Sequence, residues 1–232
     1  MELEMVLQLT TYTGSQEHLI SALIKLRGAA LLMIIATLLI TVGIFAGVFS
    51  VWAIWTASMT APVPHPMPPE AAVLPARVDS AAALSLATIV VLIVIGIAGF
   101  VLALIAVYGK LLPAAEDFTK YSHEFSTSAS LIKIGYIVGL ILGVVGALTL
   151  IFVVGAFLLI VAWIFLIIGK IGLAILCFKI NDKLKSGILV AAGILFILSL
   201  IPALQILSFI GWILVYIEAG SLLSRVAAPQ TT

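Results

Sequence analysis

The chain has 232 residues, of which 64% are hydrophobic and only 9% are charged, and its net charge at neutral pH is +1. Water-soluble domains carry about a quarter charged residues, so this chain has too little charge to cover a surface that faces water. The near-zero net charge gives no electrostatic basis for binding nucleic acid. Composition therefore predicts a protein whose main solvent is lipid and that does not bind nucleic acid.

Long apolar segments recur along the chain, separated by short polar gaps. A bilayer core of about 30 Å takes roughly 20 apolar helical residues to cross, and lipid cannot satisfy the free edge of a strand. We therefore predict an all-α, polytopic membrane protein with six transmembrane helices arranged as three hairpins. The predicted helices are 28–57, 81–108, 131–151, 154–178, 186–201 and 204–224.

The remaining segments predict the connections. Residues 1–27 form a cytoplasmic lead-in helix at the membrane interface, and 225–232 form a short C-terminal tail. The 58–80 segment holds six of the nine prolines, which predicts an extended outer loop. In 109–130, aromatic residues recur at helical spacing among charged ones, which predicts an amphipathic cytoplasmic helix.

The last apolar stretch, 186–224, has two interpretations. A split near Pro202 gives a hairpin, with both ends of the stretch on one side of the membrane. A single long, kinked helix is the alternative, and it would carry Arg225 to the other side. We favour the hairpin because it keeps Arg225 with the other basic residues.

Positive charges predict the orientation of the helices. All of the eleven Lys and Arg residues except Arg77 fall in or around gaps that the six-helix arrangement places on one side. Cytoplasmic flanks of membrane helices carry an excess of Lys and Arg. Both termini are therefore predicted to be cytoplasmic, in a multi-pass protein of the cell membrane.

Two ionisable residues, Lys170 and Glu218, lie within predicted helices. A charge in hydrocarbon is costly, so it marks either a functional site or a residue with a partner. One interpretation is structural: either an ion pair between Lys170 and Glu218, or a Lys170 that extends its ammonium group towards the interface and a Glu218 that reaches the inner interface. The other is an ion site in which Glu218 handles a proton or a cation.

Glycine ladders and a basic cluster are the other candidate features. Small residues at every fourth position let two membrane helices approach closely, within one chain or between copies. Three lysines after the fourth predicted helix could bind anionic lipid headgroups, although they also serve as orientation signals. The packing candidates are Gly43, Gly47, Gly135, Gly139 and Gly143, and the headgroup candidates are Lys179, Lys183 and Lys185.

A catalytic or cofactor site is not predicted. The three histidines, His18, His65 and His123, fall in different gaps, and the single cysteine, Cys177, lies in an apolar helix. The sequence contains no HExxH, CxxC, Walker or GxSxG motif. We therefore assign no catalytic residue, cofactor or metal ligand.

The second half of the chain resembles a known kind of protein. Gly-punctuated hairpins, the short basic gap Lys179–Lys185 and the closing Ile210–Tyr216 stretch are similar to uncharacterised archaeal multispan membrane proteins, grouped as domains of unknown function. The opening Leu26–Leu31 is similar as well. The resemblance implies an archaeal cell membrane and no particular chemistry.

Three functions follow from these observations. The scarcity of polar residues in the helices favours a non-catalytic structural or accessory subunit, with membrane lipids and other membrane subunits, or another copy of this chain, as partners. A small proton- or cation-coupled transporter or channel using Glu218 is the alternative. A membrane-embedded lipid-modifying enzyme is the third.

Overall fold

A computed structural model of the chain describes residues 2–60 and 75–227, and the described residues form an all-α protein. A π-helical segment, Val107–Leu111, precedes α3, and 3-10 turns lie at His123–Phe125 and Pro202–Leu204. The helices are α1 Glu2–Thr60, α2 Pro75–Ala106, α3 Leu112–Tyr121, α4 Ser126–Leu148, α5 Val153–Leu184, α6 Gly187–Leu198 and α7 Ile206–Ala227.

Five helical stretches in the described part of the chain are long and apolar enough to cross a membrane, which indicates a membrane protein. The stretches are Gly14–Ala53, Ala87–Tyr121, His123–Leu148, Val153–Leu184 and Ile206–Ala227. The sixth predicted helix, 186–201, corresponds to α6, which has 12 residues. At 1.5 Å per residue α6 is about 18 Å long, shorter than the roughly 30 Å hydrocarbon core. Six helices were predicted, and α6 is the one that falls short of spanning length.

The first helix is longer than the sequence pattern predicts. The structure joins the predicted lead-in, 1–27, and the first predicted span, 28–57, in the single helix α1. No proline interrupts the chain before Pro62, so nothing in the backbone forces a break. Most of the predicted outer loop, 58–80, and the end of the predicted tail lie outside the described residues.

The chain divides into two compact units, and the smaller one is 35–103. In this unit the second half of α1 packs antiparallel to α2. Gly99 is the tightest point, because a Cβ there would come within 2.8 Å of the Ile40 side chain. Gly43 and Gly47 also face α2, but at ordinary van der Waals distance. This predicted ladder therefore packs within the chain.

The larger unit comprises residues up to 34 and from 104 onward, and its buried core lies where α1, α3, α4, α5, α6 and α7 meet. Each helix supplies one apolar face to this core. The core includes Leu19, Leu23, Leu26, Leu111, Phe118, Phe125, Ile132, Leu173, Leu176, Ile180, Leu189, Phe196, Val215 and Leu222.

Glycines bring α4 and α5 into backbone contact. A Cβ on Gly135 would overlap the backbone of Gly169, and a Cβ on Gly172 would lie 2.8 Å from the backbone nitrogen of Ile132. Gly139 is similarly close, with Leu166 at 3.1 Å. Such contact gives dispersion energy that lipid does not match. Gly135 of the predicted α4 ladder therefore meets Gly169 of α5 closely, whereas Gly143 is in ordinary contact with α5.

The hairpin of α6 and α7 packs on α5 through aromatic rings. Gly193 of α6 accommodates the Phe178 ring of α5, where a Cβ would lie 2.6 Å from a ring carbon. Phe196 of α6 meets Trp212 of α7 edge to face, with ring centroids 5.1 Å apart. The two helices are antiparallel, and the end of α7 returns to the core.

We expect Gly135→Ala to lower the unfolding temperature in mild detergent, because the added methyl must push α4 away from α5. Overpacking of this kind costs about 1–3 kcal/mol. Gly143→Ala is the matched control on the same helix, since a Cβ there lies 3.9 Å from Ala162. Equal unfolding temperatures for the two variants would contradict the observed contact.

Candidate functional site

Glu218 lies in a buried hydrogen bond at the junction of α5 and α6. The Ser186 hydroxyl donates to Glu218 Oε1 at 2.7 Å, and both residues are at most 3% exposed. Lys185 ends α5 in the left-handed conformation (φ 52°, ψ 49°) and so turns the chain into Ser186. Ser186 is the N-cap of α6, yet its hydroxyl makes no capping bond, because it is committed to Glu218.

Lys170 lies in a cleft of about 320 Å³ at the other end of α6. Its Nζ donates to Gln205 Oε1 at 3.2 Å and to Ser199 Oγ at 3.4 Å. Ser199 closes α6, and Gln205 immediately precedes α7, so the cleft lies where the α6–α7 hairpin turns against α5. The apolar walls are formed by Trp163, Leu166, Ile167 and Leu200.

The structure does not bring Lys170 and Glu218 together as an ion pair. Their partners, Ser199 and Ser186, lie at opposite ends of α6, about 20 Å apart along the helix axis. The pairing inferred from the sequence assumed that both residues lie at the same depth. The register of the α6–α7 hairpin separates them, and each charged group uses neutral partners instead.

The predicted headgroup lysines are partly engaged by the protein itself. Lys183 forms a 2.8 Å ion pair with the Glu124 carboxylate, and Lys179 donates to the Glu124 backbone oxygen. Lys185 is the residue in the left-handed turn. Glu124 thus joins the start of α4 to the end of α5, which gives Lys179 and Lys183 a structural role.

Two further polar ties in the larger unit were not predicted. Asp117 of α3 is 6% exposed and binds Lys25 at 2.5 Å and Ser21 at 2.8 Å, both on α1. Arg27 lies over the Tyr216 ring at 4.9 Å, a cation–π contact between α1 and α7. The one sequence signal was the helical spacing of Ser21 and Lys25, which gives no indication of the partner.

The described residues offer no group of three or more His, Cys, Asp or Glu side chains that could hold a metal ion. Cys177 is 1% exposed within the core, the setting of a structural rather than a reactive cysteine. Glu218, Lys170 and Asp117 therefore take part in hydrogen bonds and ion pairs within the protein.

A family model described as protein of unknown function (DUF973) matches residues 19–232. The chain belongs to the DUF973 family. This confirms the prediction of an uncharacterised family, while archaeal origin stays a prediction. No curated protein and no solved structure matches the chain.

We expect Asp117→Ala to lower the free energy of unfolding by about 2 kcal/mol, because hydrogen bonds to charged groups contribute about 1.5–3 kcal/mol and Lys25 loses its partner. Glu116→Ala is the control on the neighbouring position. Its ion pair with Lys133 is more than half exposed on both sides, so its loss changes stability far less. Chemical unfolding in detergent measures both, and equal losses would contradict the structural role of Asp117.

Proposed function

We propose that this member of the DUF973 family is a non-catalytic, multi-pass subunit of an assembly in the cell membrane. The proposal rests on one observation: acidic side chains of this protein bind partners on neighbouring parts of the helix bundle. Asp117 binds Lys25, Glu124 binds Lys183, and Glu218 binds Ser186, each tying one helix to another. Side chains so engaged stabilise a scaffold, and they are not arranged around a common reaction centre.

The exposed apolar turn between α4 and α5 supports the proposal that this chain has partners within the membrane. Ile151 is 92% exposed and Val153 is 90% exposed, with Phe152 between them at 67%. A turn in contact with water normally carries polar residues, and residues 150–153 are all apolar. Lipid, another membrane subunit or a second copy of this chain would cover such a turn.

We retain the cytoplasmic assignment of both termini. In the larger unit, the described basic residues of α1, α3 and the α5–α6 junction gather at the end that holds the buried core. The α6–α7 hairpin starts and finishes at this same end, whether or not its two helices cross the whole bilayer. The positive-inside tendency then places that end in the cytoplasm.

The mass of the native particle in lipid discs tests the subunit role. We expect a particle well above the 24.5 kDa of one chain, with other membrane subunits or further copies present in fixed ratio. A single chain in the disc, at several protein-to-lipid ratios, would contradict the proposal.

Proton- or cation-coupled transport through Glu218 is the second candidate, favoured by burial of this carboxylate in a membrane helix. In that case Glu218→Gln abolishes flux in proteoliposomes while the unfolding temperature is kept, because the amide oxygen still accepts from Ser186. Asp117→Asn is the control, since it alters a different buried carboxylate, the one that pairs with Lys25. Undiminished flux in Glu218→Gln would exclude this role.

A further inference from the structure

Among the described residues, Lys170 has no anionic partner. It lies about 12 Å along α5 from Phe178, well inside the apolar part of the helix. Both of its acceptors, Ser199 and Gln205, are neutral. None of the ion pairs among the described residues involves Lys170. A charge at this depth strongly favours a counter-ion.

The end of α6 does not serve as that counter-ion. Carbonyl groups at a helix C-terminus attract cations when they lack partners. Here the turn itself satisfies them, since the backbone nitrogens of Ser199, Leu200 and Ile201 donate to the carbonyls of Leu195, Ile197 and Leu198. The Ser199 hydroxyl donates to the remaining carbonyl, that of Phe196, at 2.8 Å. Lys170 is therefore not needed as a helix cap.

The polar groups of the cleft are suited to an acceptor. An ammonium group has three N–H donors, and Lys170 uses two on neutral oxygens. The Gln205 amide also has two N–H groups, and they donate to no acceptor among the described residues. An oxyanion, which only accepts hydrogen bonds, matches a cluster of donors of this kind.

The shape of the cleft indicates the rest of the ligand. Its volume of about 320 Å³ is at the lower end of the range for small-molecule sites. A helix, about 10 Å wide, is too large to enter it, whereas one acyl chain can lie along its apolar walls. Because α6 has only 12 residues and is shorter than the hydrocarbon core is thick, an acyl chain would have room beyond the turn.

We propose that the Lys170 cleft binds the oxyanion of a single membrane amphiphile, with the charge at Lys170 and Gln205 and the acyl chain against Trp163 and Leu166. A fatty-acid carboxylate and a phospholipid phosphate share this chemistry. The binding site does not depend on the subunit role proposed above.

Native mass spectrometry of the purified full-length protein tests the proposal with three probes. These are a C18 fatty acid, the C18 fatty alcohol as its uncharged counterpart, and phosphatidylglycerol. We expect one bound fatty acid or one bound phosphatidylglycerol, with at least tenfold weaker binding of the alcohol. The probe that binds identifies the source of the oxyanion. Equal binding of acid and alcohol, or binding of none, would overturn the proposal.

Variants locate the site. Lys170→Met should lose the tenfold preference for the acid, and Lys170→Arg should keep it because the charge remains. Lys183→Met is the matched control, since Lys183 is paired with Glu124. Gln205→Leu removes the amide donors and leaves the charge, so it should weaken binding several-fold even if Lys170→Met does not fold. Unchanged binding in both Gln205→Leu and a folded Lys170→Met would overturn the assignment. Carbodiimide coupling of Lys170 to a carboxylate on a co-purified helix would also overturn it, because the anionic partner would then be a protein side chain.

Discussion

A buried polar group must find its hydrogen-bond partner inside the protein, and this constraint organises the larger unit. Its helix ends are joined by Asp117 with Lys25, by Glu124 with Lys183 and by Glu218 with Ser186. These ties gather at the end that also holds the buried apolar core. Apolar burial gives little net drive between helices that are already in lipid, so specific polar ties and close packing determine which helix meets which.

Close packing of α4 on α5 and of α5 on α6 holds the larger unit together away from that end. Gly135 and Gly169 let the backbones of α4 and α5 touch, and α5 then supports α6 through Phe178 and Gly193. Since α6 has only 12 residues, the hairpin turns while α5 continues. We propose that the turn lies inside the membrane. Lys170 owes its position and its neutral partners to that early turn.

The sequence predicts the apolar helices, the membrane setting and the split near Pro202, because these depend on segment length, composition and one backbone-breaking residue. It does not reveal that α6 ends at Leu198. Hydropathy continues through Leu200 and Ile201, and the hydrogen bonds of the turn end the helix four residues before Pro202. The two sites that hold Lys170 and Glu218 depend on hairpin register, which composition does not encode. The contact between Ser21 and Asp117 joins residues 96 positions apart, so local patterns carry no trace of it.

The depth of the α6–α7 turn in the bilayer can be measured with spin labels. A nitroxide attached at Ile201→Cys, in a Cys177→Ala background, reports depth in liposomes through its collisions with oxygen and with a water-soluble nickel chelate. A nitroxide at Lys185→Cys marks the aqueous end. We expect frequent oxygen collisions and few nickel collisions at position 201, with the reverse at 185. Nickel collisions as frequent at 201 as at 185 would place the turn in water and contradict its position inside the membrane.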